Sequence, residues 1–207
     1  MPAPRPKTLH RQLVILVFWY AGISSFAAAQ QLPLKSYTTS DGLAHNNVIS
    51  IVKDSRGFLW FCTEDGLSRF DGYTFTNYGV EQGLPHRIIR DFLETRTGEF
   101  WLATYGGLVR FNPQGTPMNR VVYANETVSP APMFTVLLPP NPDRGSCAVT
   151  VLLESRDGRI WCGTRKHLYR LERHDGSIEL ALVDIGIGAA PRQIGVMDLL
   201  EDRRGDL

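Results

Sequence analysis

The sequence DSRGFLW at residues 54–60 decides how the rest of the chain is interpreted. Its central feature, a glycine three residues before a tryptophan, occurs three times. The three pairs are Gly57 with Trp60, Gly98 with Trp101, and Gly158 with Trp161. The tryptophans at positions 60, 101 and 161 are therefore 41 and then 60 residues apart. A sequence that resembles itself at a spacing near 40 residues indicates a repeat protein.

The agreement between the copies extends well beyond this pair of residues. A threonine follows each tryptophan by three residues, and an arginine follows it by nine. The arginines are Arg69, Arg110 and Arg170. A fourth copy begins near Ile194, and its register places a tryptophan directly after Leu207. We therefore expect the chain to be a truncated, N-terminal piece of a longer protein.

Each copy contains four short apolar segments separated by turn signals. Asp-Gly pairs and D-x-x-G turns are typical of hairpins between antiparallel strands. The segment at 58–62, FLWFC, is apolar without alternation, as expected for a strand buried on both faces. Four strands in about 40 residues are typical of a β-propeller blade. We predict an all-β fold, an incomplete propeller of about three and a half four-stranded antiparallel blades, preceded by a signal-peptide helix.

The repeat also predicts the boundaries within residues 30–207. We place blades at about 44–79, 85–125 and 147–184, with the start of the next at 191–207. Prolines cluster between 113 and 146, and we interpret this stretch as an inserted surface loop, where proline is tolerated. The segment from Pro33 to Thr39 resembles a fourth strand that would complete a blade formed far downstream.

Residues 1–29 have the composition of an export signal. Basic residues precede an apolar run, and Ala27, Ala28 and Ala29 form a small-residue cleavage site. An uncleaved membrane anchor is the alternative, because the run is close to the lower length of a spanning helix. In both cases we expect the rest of the chain to be periplasmic or otherwise extracytoplasmic, as part of an inner-membrane protein.

Composition and motifs exclude several functions. The 22 basic and 21 acidic residues give a net charge of +1, which argues against a nucleic-acid partner. Cys62, Cys147 and Cys162 are an odd number and form no C-x-x-C motif, so no zinc knuckle or redox motif is indicated. Nucleophile and phosphate-binding motifs are also absent from the sequence. We predict no catalytic residues, no metal and no cofactor.

Two sets of residues are candidates for a functional or structural role. The repeated glycines, tryptophans and arginines favour blade packing and ion pairing over sugar stacking or an anion-binding ring, because each set occupies one column of the repeat. The loops that lead into blades 1 and 2 carry the predicted ligand-binding residues, because function on propellers is usually carried by loops. These are His45, Asn46, Asn47, His86 and Arg87.

At three stretches the chain resembles the two-component regulator propeller family. These are DGL at 41–43, DSRGFLW at 54–60 and DGLSRFDG at 65–72, and GGLVRF at 106–111 repeats the theme. The resemblance implies a bacterial sensor in which a periplasmic propeller is followed by a transmembrane helix and a histidine kinase or, in other members, a diguanylate cyclase. It also implies receptors that bind polysaccharide fragments.

The functional hypothesis is therefore an extracytoplasmic ligand-sensing propeller, with no enzymatic activity in this fragment and a sensor histidine kinase as its parent. The expected partners are an oligosaccharide or other small extracellular ligand, a second copy of the full-length receptor, and the membrane through a downstream segment. The alternatives are a secreted propeller enzyme, such as a polysaccharide or antibiotic lyase, a propeller sensor of a diguanylate cyclase, and an adhesion or scaffold module.

Overall fold

The computed structural model describes residues 34–186 and 195–207. The predicted signal peptide and the first part of the predicted fourth blade lie outside these residues. The chain divides into two compact units, residues 1–36 and 37–207, and the description below concerns the second. No helix within the described ranges combines the length and the apolar character that are needed to cross a membrane.

Residues 48–183 form three separate four-stranded antiparallel sheets. Blade 1 consists of β1 (Val48–Lys53), β2 (Leu59–Thr63), β3 (Gly66–Phe70) and β4 (Phe75–Tyr78). Blade 2 consists of β5 (Ile89–Glu94), β6 (Phe100–Thr104), β7 (Gly107–Phe111) and β8 (Phe134–Leu137). Blade 3 consists of β9 (Val149–Glu154), β10 (Ile160–Thr164), β11 (Leu168–His174) and β12 (Ser177–Val183), preceded by the short helix α1 (Arg144–Cys147). Strand order follows chain order within each sheet, as a blade requires, so the predicted incomplete β-propeller is confirmed.

The fourth strand of blade 2 lies later in the chain than the sequence predicted. We expected this blade to end near residue 125 and the segment 113–146 to be a loop, but β8 lies at 134–137 and pairs with β7. The inserted residues 112–133 instead separate β7 from β8. They return alongside β8, because the Val136 N–H donates to the Val122 carbonyl at 2.8 Å and the Ala124 N–H donates to the Val136 carbonyl at 2.9 Å. The insertion thus covers the outer edge of blade 2, which would otherwise be open for pairing.

The two ends of the second unit differ from the predicted strands. No strand is assigned to residues 37 and 38, the part of the predicted strand that begins this unit. Tyr37 instead contacts the rings of Phe70 and Phe75 at 4.9 and 5.6 Å. No strand is assigned to 195–207 either. The turn expected there does form, because the Asp202 N–H donates to the Asp206 carbonyl at 2.8 Å.

Burial of the repeated tryptophans holds neighbouring blades together. Trp60 is fully buried and stacks on Phe92 of blade 2, with ring centroids 5.0 Å apart and planes 18° apart. Trp101 is also fully buried and belongs to a core cluster that includes Leu152 and Leu180 of blade 3. Each of these two tryptophans therefore packs against the blade that follows its own.

A carboxylate organises the turn between β1 and β2. One oxygen of Asp54 accepts the N–H groups of Arg56 and Phe58 at 3.0 and 2.9 Å, and the other accepts Nε1–H of Trp60 at 3.0 Å. Gly57 has a φ of 94°, which glycine adopts at little cost. Burial raises the pKa of Asp54, but the hydrogen bonds from Trp60, Phe58 and Arg56 outweigh burial and leave the pKa below its ordinary value of 3.8.

Blade 2 carries a weaker version of the same turn. Thr95 stands where blade 1 has Asp54, and its hydroxyl accepts the Glu99 N–H at 3.0 Å. Nε1–H of Trp101 is buried and has no partner among the described residues. In blade 3 the equivalent Ser155 hydroxyl does accept Nε1–H of Trp161, at 3.1 Å. The unpaired donor at Trp101 is therefore a local weakness of blade 2.

A glutamate joins the turn between the first two strands of each blade to the repeat that follows. Glu94 and Glu154 end β5 and β9, and Glu201 occupies the same column in the fourth copy, where no strand is assigned. Each glutamate carboxylate accepts a backbone N–H from that turn. The pairs are Glu94 with Ser55 at 2.6 Å, Glu154 with Arg96 at 2.8 Å, and Glu201 with Arg156 at 2.8 Å. The Arg96 and Arg156 guanidinium groups also donate to carbonyls of the next turn, at the Arg156 and Arg203 oxygens. We call this arrangement the turn–glutamate contact.

We predict that Thr95→Asp stabilises the protein. The new carboxylate is expected to accept both the Glu99 N–H and Nε1–H of Trp101, as Asp54 does in blade 1. The expected gain in the free energy of unfolding is about 1 kcal/mol, measured by urea denaturation at pH 7. The reverse change, Asp54→Thr, leaves Trp60 without its acceptor and is expected to cost about 1–3 kcal/mol.

Thr127→Asp is the control, because it makes the same substitution at an exposed threonine outside this turn. Its effect is expected to be within about 0.5 kcal/mol of zero. Equal effects of Thr95→Asp and Thr127→Asp would show that the unpaired Trp101 donor does not weaken the blade.

Candidate functional site

The predicted ligand-binding residues lie at one end of the blades. Because the strands are antiparallel, the loop that leads into a blade meets the turn between its second and third strands. In blade 1 the Glu64 N–H faces the Asn47 carbonyl at 3.4 Å. We call this end the loop end; it contains the leading loops 44–47 and 85–88 and the turns 64–65, 105–106 and 165–167.

In blade 1 the predicted residues mainly hold their own loop. Nδ1 of His45 accepts the Asn47 N–H at 3.0 Å. The side-chain oxygen of Asn46 accepts the Thr39 N–H at 2.8 Å, which fixes the short 3-10 helix Thr39–Asp41 against the leading loop. Asn46 and Asn47 are exposed, so their remaining polar groups face solvent.

In blade 2 the predicted residues contact their own blade and blade 1. Nδ1 of His86 accepts the Ile88 N–H at 3.1 Å, and its ring lies 5.5 Å from the ring of Tyr105, tilted by 50°. The carbonyl of Arg87 accepts the Gly66 N–H of blade 1 at 2.6 Å, while its side chain is exposed. The leading loop of blade 2 is therefore fixed in position by backbone contacts.

Sequence reasoning missed two residues of the loop end, Tyr105 and Arg165. The guanidinium of Arg165 in blade 3 lies 5.4 Å from the ring centroid of Tyr105 in blade 2. Both occupy one column of the repeat, four residues after the tryptophan, where blade 1 has Glu64. This column differs in all three complete copies of the repeat, whereas the threonine column directly before it is uniform. That variation was the signal that could have identified the two residues.

Charge is unevenly distributed at the loop end. Among the ion pairs of the described residues, none includes Arg87 or Arg165, whereas Lys166 is bonded to Asp143 at 2.5 Å. The bond from Lys166 and the Ser146 N–H lower the pKa of Asp143. Burial, and then the charge of Arg87, lower the pKa of His86, so the imidazole is neutral at pH 7. Blades 2 and 3 thus present two guanidinium groups and a neutral imidazole.

The repeated arginines each contact a group of their own blade, and the groups differ. The Arg69 guanidinium lies 4.8 Å from the ring centroid of Phe58. Arg110 pairs with Glu99 at 2.8 Å, and Arg170 pairs with Glu172. Cation–π contact and ion pairing are the roles expected for a guanidinium packed on a blade.

The three cysteines are unpaired. Cys62 and Cys162 are buried in β2 and β10, and burial raises the pKa of both thiols. A thiol of raised pKa is a poor nucleophile and a poor metal ligand, so these two side chains fill the core.

One group of side chains in the described residues has the composition of a metal site. Ligand atoms of Glu172, His174 and Glu179 lie within 4.8 Å of one another on β11 and β12. Arg170 already binds the Glu172 carboxylate, and His174 and Glu179 are well exposed. This group therefore has the character of a surface ion-pair cluster.

A partly buried carboxylate links the first strands of blades 2 and 3. Asp91 accepts the Leu152 N–H at 2.9 Å through one oxygen and the Phe92 N–H at 2.9 Å through the other. Burial raises the pKa of Asp91, and the charge of Asp198 adds to the increase, although the two hydrogen bonds and Arg90 oppose it. The acceptor is useful for joining the blades, while its negative charge is unfavourable.

Comparison with known proteins identifies the class of this fold. Residues 42–65 match the model of the two-component regulator propeller, so the chain carries a repeat of that kind and the resemblance seen in the sequence is confirmed. Over 64 residues, 31% of the chain, it is 42% identical to histidine kinase P4 of Formosa agariphila, and the match spans 5% of that protein.

Two solved structures have the same fold. Both are described as extracellular domains of hybrid two-component systems of B. thetaiotaomicron, BT3049 and BT4673. The first is 24% identical and the second 21%, each with a TM-score of 0.57 over 77% of this chain. The chain matches 21% and 19% of their lengths. The chain is thus similar to the propellers of two-component sensors.

We predict that Asp91→Asn changes how stability depends on pH. Asparagine keeps an acceptor for the Leu152 N–H but carries no charge. Because the folded-state pKa of Asp91 is raised, the folded protein binds the proton more tightly than the unfolded chain does. The free energy of unfolding of the wild type should therefore fall, relative to Asp91→Asn, as the pH rises above 3.8 through the raised pKa.

Urea denaturation of the wild type and of Asp91→Asn at several pH values from 3.8 upward measures the difference in their free energies of unfolding. Asp91→Ala, which removes the acceptor, is expected to be destabilised at every pH by about 1–3 kcal/mol. A constant difference between the wild type and Asp91→Asn across the range would contradict the prediction.

Proposed function

We propose that this chain is the extracytoplasmic ligand-sensing part of a two-component signalling protein. In this proposal the propeller binds a small extracellular ligand and passes the signal to a downstream transmembrane segment and histidine kinase. The parent protein is the enzyme, and these blades supply the recognition.

The observation that carries the proposal is the repeat itself, together with the proteins in which similar sequence occurs. The repeat at 42–65 and the 64-residue similarity to a histidine kinase coincide with a predicted export signal at 1–29. An exported propeller attached to a kinase has a direct use, because the blade loops are accessible to solutes that do not enter the cytoplasm.

The loop end supports ligand binding in a specific way. Its side chains come from two leading loops and from the turns of successive blades, so one ligand could contact blades 2 and 3 together. A ligand shifts an equilibrium only by its difference in affinity for the two states. A site shared by two blades supplies such a difference if their packing differs between the resting and the signalling receptor.

Export is the first step to test. We predict that residues 1–207 fused to alkaline phosphatase, which is active only outside the cytoplasm, give an active enzyme in a Gram-negative host. The same fusion without residues 1–29 is the matched control and is expected to be inactive. Inactivity of both fusions, with the protein present on a blot, would contradict an extracytoplasmic location.

The signalling part of the proposal is tested on the gene. The codons that follow residue 207 are expected to encode further blades, a transmembrane helix and a histidine kinase. A complete gene with no membrane segment and no kinase would contradict the proposal and favour a secreted enzyme or a scaffold.

A further inference from the structure

We propose that His86, Arg87, Tyr105 and Arg165 form a site for an oxyanion, a carboxylate or a sulfate, carried by the extracellular ligand. We call these four residues the blade 2–3 cluster. The inference rests on the proposed function, because it states which chemistry the loop end would recognise.

Arg165 is the principal group of the site. Its guanidinium lies 5.4 Å from the ring centroid of Tyr105, it is exposed, and no ion pair of the described residues includes it. An aromatic face holds a guanidinium by cation–π attraction and leaves its N–H groups available for a planar bidentate partner. Tyr105 is therefore a positioning residue, and Arg165 presents an oriented donor fork to solvent.

His86 adds a second donor beside the ring of Tyr105. Its Nδ1 is engaged as the acceptor of the Ile88 N–H, so the neutral imidazole carries its proton on Nε2. The ring lies 5.5 Å from that of Tyr105 and is partly exposed. Its Nε2–H can donate to an oxygen without a change of protonation state.

Arg87 completes the cluster with a second cation. Its carbonyl is bound to the Gly66 N–H of blade 1 at 2.6 Å, so its backbone is fixed while its side chain stays exposed. Arg87 follows His86 directly in the leading loop, and its charge contributes to the lowered pKa of His86. Three donors from two blades, two of them cationic, suit a ligand with negative oxygen atoms.

No ion pair among the described residues engages Arg87 or Arg165, although Glu64 and Asp65 precede the Gly66 whose N–H binds the Arg87 carbonyl. The nearby Lys166 is paired with Asp143 at 2.5 Å, which engages that carboxylate. In blade 1 the column of Tyr105 and Arg165 holds Glu64, so the cationic character is confined to blades 2 and 3. A neutral ligand would gain little from two guanidinium groups, whereas an oxyanion would gain charge-assisted hydrogen bonds.

The experiment uses the exported chain purified from the periplasm and three probes, with binding measured by titration calorimetry at low ionic strength. Digalacturonate carries carboxylates on sugar rings, cellobiose carries rings without charge, and sodium sulfate carries charge without a ring. Digalacturonate is expected to bind, and cellobiose is expected not to bind. If sulfate also binds at the same residues, the site accepts free oxyanions. If digalacturonate binds and sulfate does not, the ligand is an acidic glycan.

The variants separate recognition from packing. Arg165→Gln is expected to weaken digalacturonate binding about tenfold or more, because a charged hydrogen-bond donor is lost. Arg159→Gln is the matched control, since it removes the same charge from an exposed turn at the other end of blade 3. Tyr105→Phe, which keeps the ring, is expected to bind as the wild type does, whereas Tyr105→Leu is expected to bind several-fold more weakly.

Several results would overturn the site. These are equal binding of cellobiose and digalacturonate, binding of none of the probes, or equal loss of affinity in Arg165→Gln and Arg159→Gln. If Arg165→Gln fails to fold, the comparison of Tyr105→Phe with Tyr105→Leu and the variant Arg87→Gln decide the question. Binding is measured on the purified chain and does not depend on a kinase. If the probes bind as expected but the complete gene encodes no kinase, the proposed function is refuted and the oxyanion site is not.

Discussion

Burial of a tryptophan between successive sheets is the interaction on which this structure depends. A tryptophan side chain that loses most of its 150–250 Å² of surface contributes roughly 4–6 kcal/mol of hydrophobic free energy. Trp60 gains this only if blade 2 supplies the ring of Phe92, and Trp101 only if blade 3 supplies its apolar residues. No blade is complete alone, so the repeat is a condition of stability and the second strand of each blade must be apolar on both faces.

The turn–glutamate contact fixes the register in which neighbouring blades pack. Hydrophobic contact between two sheets allows sliding, but a carboxylate that accepts one particular backbone N–H fixes the register. Glu94, Glu154 and Glu201 do this at three successive junctions. The contacts lie at the end of the blades opposite the loop end, because they involve the turns between first and second strands. Register and recognition are therefore carried by different ends of the same sheets.

This separation explains which features the sequence could predict. The glycine, tryptophan and arginine columns repeat because every junction imposes the same packing, so the fold follows from comparing the chain with itself. Strand β8 was missed because a four-residue apolar segment within a proline-rich insertion carries no repeat signal of its own. Tyr105 and Arg165 were missed because no structural constraint makes their column uniform. His86 and Arg87 were predicted to bind ligand because they lie in a leading loop, and this stays a prediction. The contact of His86 with Tyr105 and that of Arg87 with the turn of blade 1 could not be predicted, because they join residues far apart in the chain.

The position of the blade 2–3 cluster determines what a bound ligand could change. Arg165 belongs to blade 3, while His86 belongs to blade 2, so an oxyanion held by both adds a bond across one junction. That junction is also joined by Asp91 to the Leu152 N–H and by Glu154 to Arg96. The hydrogen bond from Leu152 to Asp91 stabilises the junction, but burial of the negatively charged carboxylate opposes this stabilisation. A ligand at the loop end would therefore act on this junction, and it would change how the two blades pack only to the extent that its affinity differs between the two arrangements.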